Sequence, residues 1–336
     1  MPEALTGEGD PIELKEEANM IPITEVAKGI FKIGPLETGN ERTPETCPHL
    51  IVGQKQALIW EPGEAGQVRE LLEGIRILHV DRDSIAYLIV GHIHIHHCQG
   101  VPVLLKELPK ATLRVHERAV PHMIDPTRLN ESTIQVWGEG CPVISPVPAD
   151  RVRAVADGEV IDLGGRELEF IYAPGHAPHQ IAMFDHLTRA LFPSDATGAF
   201  NIPNNERCSP DIRPPLFDVD KAVDTLHRLR ALKPKVIFTF TRWGGVSHSP
   251  DDTLKWAEED WRAVESICRE GMKQKKTSRE IGMQVTEYYK KVRIADEFGP
   301  TSEPRAVYGM YAYIHKQDPS LEMPKREESQ PLTSVN

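Results

Sequence analysis

Short apolar runs separated by polar turns predict a chain of alternating strands and helices. In the first half, runs rich in β-branched and aromatic residues have the length and composition of buried strands. Residues 64–77 instead place Leu71 and Ile75 at helical spacing. Residues 100–108 predict a second helix, which Pro109 ends. The predicted strands of this half lie at residues 29–33, 49–53, 57–60, 84–91 and 111–116.

From residue 152 onward the pattern changes to closely spaced short strands. Turns such as Asp157-Gly158 separate them, and amphipathic helices follow from residue 219. Residues 196–216 are rich in Asn and Pro without a regular period, which is typical of a binding loop or lid, or of a solvated surface excursion. The predicted strands are 152–156, 160–163, 168–172, 181–184, 190–192 and 236–241, and the predicted helices are 219–232, 250–270 and 278–292.

The same pattern divides the chain into an arm, a main domain, a helical extension and a tail. The polar, acidic arm occupies residues 1–22, and the main domain follows at residues 23–270. Residues 271–315 form the helical extension. Residues 316–336 form a polar tail with several prolines, which we expect to be disordered. The helices after residue 250 offer a surface for a homodimer contact.

Composition and charge exclude several classes of function. The chain has 336 residues and a net charge of −11, whereas general nucleic-acid binding needs a basic surface. No apolar run approaches the length of a membrane span, and the first residues lack the basic and apolar parts of a signal sequence. The five cysteines are scattered without C-x-x-C spacing, so a disulfide framework is not expected. We therefore expect a cytoplasmic protein without nucleic-acid or membrane partners.

Histidines cluster directly after the predicted strand 84–91. His92, His94, His96 and His97 lie at the C-terminal end of that strand and in the turn beyond it. Open α/β sheets place their sites at such strand ends, and neutral imidazole is the commonest metal ligand. A lone histidine is more often a satisfied core or surface residue. Several clustered ones without a metal would leave buried ring nitrogens in need of partners, so the cluster predicts a metal site.

Further metal-capable side chains follow later predicted strands. His176 lies in a Pro-Gly-His turn, Asp195 in a Pro-Ser-Asp turn, and His248 beyond a Gly-Gly turn. Taken singly, such residues are often only turn residues or helix caps. Their order after the histidine cluster favours a shared metal site.

This order of motifs resembles the metallo-β-lactamase superfamily, over about residues 25 to 270. The pattern of that family is His-x-His-x-Asp-His, then Pro-Gly-His, then Gly-Asp, and a final His after a late strand. Residues 115–118 (Val-His-Glu-Arg) and 158–179 are similar to its glyoxalase II-like hydrolase branch. The resemblance implies an α/β fold, a four-layer αββα sandwich, with the metal site at the edge between the two sheets. The residues that match the ligand positions of the family are His92, His94, His97, His176 and Asp195.

Some positions depart from the family pattern. His96 stands where the family has aspartate, and Ser194 replaces a glycine. Arg242 lies where relatives of this branch carry the last histidine, and a guanidinium cannot coordinate a metal because it stays protonated. His248, a few residues further on, would reach the site only if the loop were rearranged. The resemblance thus implies an altered second metal site, in which His96 could replace the aspartate. The intact first site would be formed by His92, His94, His176 and Asp195.

The expected activity is that of a metal-dependent hydrolase. Three imidazoles and a carboxylate suit Zn²⁺, with Fe²⁺ or Mn²⁺ as alternatives, and a bound metal lowers the pKa of its water to about 7. The resulting hydroxide would attack a small, anionic ester, thioester or lactone. His96 could serve as a proton shuttle. Arg242 could attract the anionic substrate or replace the second cation electrostatically, or it could point outward to solvent.

Two other functions remain compatible with the sequence. Non-haem iron proteins that reduce oxygen or nitric oxide share this fold, but they need two intact iron sites. A metal-binding member without turnover is the other alternative, because His96 and Arg242 alter the ligand set. Cys98 leaves a similar choice between a ligand or nucleophile and a small buried residue at a helix start.

Overall fold

Two β-sheets packed face to face, with helices on both outer faces, make up the structure. The computed structural model describes residues 21–34, 47–198, 207–212, 216–240, 245–292 and 306–325. The predicted arm up to residue 20, Arg242 and the predicted tail from residue 326 lie outside these ranges.

The first sheet follows the order of the chain, because each strand pairs with the one before it. Its strands are β1 (Ile23–Ala27), β2 (Ile30–Ile33), β3 (His49–Val52), β4 (Ala57–Trp60), β5 (Ile85–Ile89), β6 (Thr112–His116) and β7 (Val152–Val155). Strands β1 to β4 pair antiparallel, and β4 to β7 pair parallel. Parallel neighbours need a crossover connection, and each of the three crossovers in this sheet contains at least one helix.

The second sheet has the order β13-β12-β11-β10-β9-β8. Its strands are β8 (Val160–Asp162), β9 (Glu167–Tyr172), β10 (Ile181–Asp185), β11 (Ala190–Phe192), β12 (Val236–Phe238) and β13 (Val246–Ser247). Only β11 and β12 pair parallel among these described strands, and the other neighbours pair antiparallel.

Helices cover the outer face of each sheet. Helices α1 to α5 pack on the first sheet and α6 to α9 on the second. None of the helices in the described ranges is both long and apolar enough to span a membrane. The helices are α1 (Val68–Ile77), α2 (Ile95–Cys98), α3 (Val101–Glu107), α4 (Val120–Ile124), α5 (Thr127–Trp137), α6 (Val219–Ala231), α7 (Pro250–Lys273), α8 (Ser278–Val292) and α9 (Ala306–Gln317).

Alternation of side chains along the strands explains how three apolar layers arise from two sheets. In β4, Leu58 and Trp60 point between the sheets, whereas Ala57 and Ile59 face the helices, and all four are fully buried. Strand β10 alternates in the same way between the inter-sheet core and the core under α6 to α9. The four-layer αββα sandwich implied by the family resemblance is therefore confirmed.

Most elements lie where the sequence pattern predicts them, within about three residues at their ends. The elements that the pattern missed are β1, β13, α2, α4, α5 and α9. Helices α4 and α5 lie in a stretch rich in Pro and Gly, a composition that predicts irregular structure. Pro121 lies in the first turn of α4 and Pro126 caps α5. At these positions proline begins a helix instead of ending one.

The C-terminal helices share one apolar core with the second sheet. Helix α7 crosses the boundary predicted at residue 270, and α9 crosses the one predicted at residue 315. Val307, Met310 and Ile314 of α9 are fully buried in the core that also receives α6 and α7. Beyond α9, the carbonyl of Lys325 accepts a hydrogen bond of 3.2 Å from the N–H of Ser278. Residues 316 and 317 continue α9, and the partly buried Leu321 packs against this core, whereas disorder of the tail stays a prediction.

A buried ion pair connects the two sheets. Arg166, between β8 and β9, is 3% exposed and donates to a carboxylate oxygen of Asp185 at 2.9 Å. The same guanidinium donates to the backbone carbonyls of Lys28, Gly29 and Val52, which flank strands of the first sheet. Both sheets thus satisfy one buried charge, and removing either ionic partner leaves the other uncompensated.

We predict that Arg166→Ala lowers the free energy of unfolding by about 3–5 kcal/mol, because Asp185 is left as a buried charge without its partner. Chemical denaturation followed by circular dichroism measures this loss. Arg230→Ala is the control, since Arg230 and its partner Asp251 are both largely exposed and their ion pair is screened by water. Similar losses in the two variants would contradict the structural role of Arg166.

His49 makes the stability of the fold sensitive to acid. Its imidazole is fully buried in β3, with ring centroids 5.4 Å from Phe192 and 5.7 Å from Phe238. Burial, and then the charge of Lys32, lower the pKa of His49 to about 3. The unfolded chain has the ordinary value of about 6.5. The stabilisation is therefore complete above pH ~6.5 and is lost as the pH falls towards the folded value.

We predict that His49→Asn flattens the acid limb of the stability curve. In the unsubstituted protein this one group should lower the free energy of unfolding by up to about 1.4 kcal/mol for each pH unit below about 6.5. Denaturant titrations at a series of pH values from 7 to 4 measure the slope. His227→Asn, at an exposed histidine, serves as the control, and an unchanged slope in His49→Asn would refute the prediction.

Candidate metal centre

Side chains from several strand ends meet at the edge between the two sheets. Glu61 follows β4, the histidine cluster follows β5, His176 follows β9 and Asp195 follows β11. Strands β4 and β5 are parallel, so their C-terminal ends lie at the same edge of the sheet. The groups whose donor atoms lie within 4.8 Å of one another are His92–His94–His176, Glu61–His92–His97, His96–His97–Asp195 and His176–Asp195–Asp211.

The histidine cluster lies on the turn that leads from β5 into α2. His94 has an extended backbone at the N-cap of α2, and the helix then carries His96 and His97. Cys98 follows as a buried residue whose thiol donates to the carbonyl of His94 at 3.5 Å. Burial raises the pKa of this thiol. Because Cys98 belongs to none of the candidate ligand groups found among the described residues, the structure favours its interpretation as a small buried residue.

The turn after β5 requires Gly91, because Glu61 and Ser194 fill the space beside it. A Cβ at position 91 would lie 2.4 Å from both Glu61 Oε1 and Ser194 Oγ. Ser194 has a φ of 53°, so the serine that replaces the glycine of the family keeps a left-handed backbone. Its hydroxyl donates to Glu61 Oε1 at 2.6 Å and lies 3.1 Å from His92 Nδ1. These bonds compensate for the backbone strain.

Hydrogen bonds around the cluster determine which ring nitrogens carry protons. Ser194 gives its single proton to Glu61, so its oxygen accepts from the Nδ1–H of His92. His176 Nδ1 lies 2.8 Å from the backbone carbonyl oxygen of Asp211, which can only accept. In their neutral forms, His92 and His176 therefore carry a lone pair at Nε2.

These lone pairs point at a third ring nitrogen. The Nε2 atoms of His92 and His176 lie 2.8 Å and 3.0 Å from Nδ1 of His94. One proton on His94 can satisfy only one of the two contacts. Burial, and then the neighbouring histidines, lower the pKa of His92 well below its usual range, so this ring does not take up a second proton. Ligand nitrogens about 2.1 Å from a tetrahedral ion are about 3.4 Å apart, so the triad fits a cation after a small expansion.

Asp195 is fully buried beside the triad. Its Oδ2 lies 3.4 Å from His97 Nε2, 3.6 Å from His176 Nε2 and 3.8 Å from His92 Nε2. One carboxylate oxygen therefore faces both the triad and His97. The family resemblance implies a bridging ligand at Asp195, and this placement is compatible with that prediction.

His97 lies between two buried carboxylates. Its Nδ1 is 3.0 Å from Glu61 Oε2, which leaves Nε2 facing Asp195. Burial lowers the pKa of His97, but the carboxylates of Glu61 and Asp195 outweigh burial and raise the pKa to about 10. A positive charge is thus favoured here, and a cation bound at Nε2 would replace the proton. His96 lies alongside, with its ring centroid 4.2 Å from that of His97.

Helix α6 holds the Pro-Gly-His turn in place. A Cβ at Gly175, whose φ is 147°, would lie 2.5 Å from the Cα of Ala222. The N–H of Asp218, the N-cap of α6, donates to the carbonyl of Gly175 at 3.0 Å. Only glycine allows this close approach, and the position of His176 therefore depends on how α6 packs on the second sheet.

The structure brings most of the residues singled out by the sequence into one cluster. His248 is the exception among those described. It follows β13 at the surface, is exposed, and belongs to none of the candidate groups. Its neighbour Ser247 is buried in β13, so alternation along the strand directs His248 to solvent. The prediction that His248 could be a ligand is therefore not supported. The residues that do meet are His92, His94, His96, His97, His176 and Asp195.

Two acidic residues at the site are not among those predicted from the sequence. Glu61 directly follows β4 at the same sheet edge as the histidines, and this placement is a signal that could have identified it. Asp211 lies in the Asn- and Pro-rich stretch, where no spacing marks it. Arg242, predicted to replace the last histidine, lies outside the described residues.

Comparison with known proteins points to the family that the motifs resemble. A family model described as the metallo-beta-lactamase superfamily matches residues 49–242. A metallo-beta-lactamase fold-containing protein of Sulfurisphaera tokodaii is 32% identical over 176 residues, which cover 49% of this chain and 63% of the relative. A hydroxyacylglutathione hydrolase of Aeromonas hydrophila is 29% identical over 137 residues, 41% of each chain. A putative diflavin flavoprotein of Synechocystis is 28% identical over 166 residues, 49% of this chain and 25% of the relative.

The chain thus spans less than two thirds of the length of these relatives. The crystal structure of an archaeal superfamily protein from Sulfolobus tokodaii matches with a TM-score of 0.55 and 24% identity, covering 70% of this chain and 86% of that one. At that identity the likeness shows the fold alone. The family model, however, matches more than half of the 336 residues. The chain belongs to the metallo-beta-lactamase superfamily.

Proposed function

We propose that this protein is a metal-dependent hydrolase. The observation that carries the proposal is the meeting of three ring nitrogens, since His94 Nδ1 lies within 3.0 Å of the Nε2 atoms of His92 and His176. The hydrogen bonds at Nδ1 of His92 and of His176 keep the protons of these two rings away from the centre. A cation at this point would turn opposed lone pairs into ligands, which no single proton can do.

The donor set determines which ions suit the site. Three neutral imidazoles and the carboxylate of Asp195 match Zn²⁺, and Fe²⁺ or Mn²⁺ also accept such ligands. When bound, the ion would polarise a substrate carbonyl and lower the pKa of a coordinated water to about 7. Glu61 orients His97 directly and His92 through Ser194. Such supporting carboxylates raise ligand basicity and hold the rings in position.

A second ion would be held less firmly in the same pocket. His96, His97 and Asp195 form the candidate group for it. The first of these is a histidine where the family carries aspartate, so the set has a single carboxylate. Binding there must also displace the proton that Glu61 and Asp195 favour on His97. We therefore propose one strong metal site and one weak site.

The proposed substrate is a small, anionic ester, thioester or lactone. The likeness to a hydroxyacylglutathione hydrolase supports this class, because a hydroxyacylglutathione is an anionic thioester. His94 and His96 are partly exposed, whereas His92 and His176 are buried, so the substrate would approach from the side of the first pair. When no second ion is bound, His96 would pass a proton between solvent and the leaving group. Arg242 remains the candidate for attracting the anionic group.

Iron-dependent redox chemistry is the second candidate function. The likeness to a putative diflavin flavoprotein supports it. This function would need iron at the triad and a second iron held by His96, His97 and Asp195. The altered second set makes the hydrolase the better-supported proposal.

We predict about one zinc per chain in protein purified without added metal, together with thioesterase turnover on an S-hydroxyacylglutathione. Elemental analysis and a thiol-release assay measure the two quantities. A chelator should abolish turnover and added Zn²⁺ should restore it, since the ion supplies the Lewis acid. Two irons with an optical spectrum would favour the redox function instead. Substoichiometric metal with no turnover on a panel of esters would indicate a member without catalysis.

We expect metal affinity to depend on His176 and not on His248. His176→Ala removes one of three triad nitrogens, and we expect metal affinity to fall by at least about 100-fold. His248→Ala is the matched control, because its ring is exposed and lies outside the candidate groups. Competition with a zinc-binding dye measures both affinities. Comparable losses in the two variants would mean that the last ligand has been misplaced.

A further inference from the structure

We infer that Asp211 is an additional protein ligand of the metal centre. This inference rests on the proposed function only in assuming that the centre binds an ion. A carboxylate oxygen of Asp211 lies within 4.8 Å of the donor atoms of His176 and Asp195. Two donors on one ion, each about 2.1 Å away, are at most about 4.2 Å apart. Asp211 is therefore close to ligand distance on the side of His176.

The main chain ties Asp211 to the triad. His176 Nδ1 donates to the backbone carbonyl of Asp211 at 2.8 Å, which fixes the residue beside the imidazole that it orients. The side chain of Asp211 is partly exposed, and one of its carboxylate oxygens lies within 4.8 Å of the donor atoms of His176 and Asp195. Because the structural bond uses the backbone carbonyl, a change of the side chain leaves that bond in place.

Contacts on both sides hold the segment 207–212 against the C-terminal helices. Arg207 donates two hydrogen bonds, of 3.0 Å and 2.5 Å, to the buried carboxylate of Asp260 in α7. Tyr288 of α8 donates to the same carboxylate at 2.6 Å. At the other end, Ile212 is fully buried in the core under these helices. The position of Asp211 is therefore built into the fold.

A ligand role for Asp211 is consistent with the departure from the family motif at position 96. The family motif supplies an aspartate there, whereas this chain has His96, so the motif itself brings one negative charge fewer to the centre. Asp211 comes from a different segment and brings a carboxylate to the opposite, His176 side. The triad, Asp195 and Asp211 together would balance the two charges of a divalent ion with two carboxylates.

Cobalt binding to the full chain tests the inference without any substrate. Asp211→Asn keeps the shape of the side chain and removes its charge, and we expect Co²⁺ affinity to fall about tenfold or more. The visible absorption of the bound Co²⁺ should also change, because these bands depend on the number and geometry of ligands. Asp211→Glu, which keeps a carboxylate, should recover part of the affinity.

Asp224→Asn is the control, since Asp224 is an exposed carboxylate on α6, and it should bind Co²⁺ like the unsubstituted chain. The inference is overturned if Asp211→Asn matches the unsubstituted protein in both affinity and spectrum, or if that protein binds no Co²⁺ at all. If Asp211→Asn weakens Co²⁺ binding while no acyl substrate is ever hydrolysed, the proposed function fails and the role of Asp211 stands.

Discussion

The close approach of imidazole nitrogens around a buried carboxylate is the constraint on which the rest of the site depends. Asp195 is fully buried, and histidine nitrogens face its Oδ2 from several directions. Such an arrangement is unfavourable unless positive charge lies among these groups. Partners behind the rings, among them Ser194 and Glu61, keep the lone pairs directed inward. The chain thus keeps an electrostatic arrangement that suits a cation better than a proton.

The two-sheet fold makes this arrangement possible. Both sheets contribute residues at one edge, and the inter-sheet core sets the distance between them. That core contains the fully buried side chains of Trp60, Phe170 and Phe192. Their close packing fixes the C-terminal ends of β4 and β11, which lead into the site. The guanidinium of Arg166, paired with Asp185 in the second sheet, connects the sheets as well through backbone carbonyls of the first sheet. The precision of the site is therefore a consequence of sheet packing rather than of the loops alone.

The C-terminal helices also support the site. Helices α7 and α8 hold the segment 207–212 through the carboxylate of Asp260, and that segment orients His176. The predicted helical extension is therefore linked to the candidate ligands by hydrogen bonds. This arrangement keeps the triad of His92, His94 and His176 together, although position 96 carries a histidine where the family motif has aspartate.

Local sequence patterns were enough to determine most strands and helices and the order of the candidate ligands, because apolar periodicity and short motifs act over a few residues. The family motif identified His92 and His176 for the same reason. The approach of Glu61 to the histidines, the position of Asp211 and the exposure of His248 were decided only by the tertiary structure. They depend on which strand ends meet and on contacts between residues far apart in the chain. No short-range pattern encodes such contacts, and the same is true of the protons on the ring nitrogens, which are set by partners on other strands and loops.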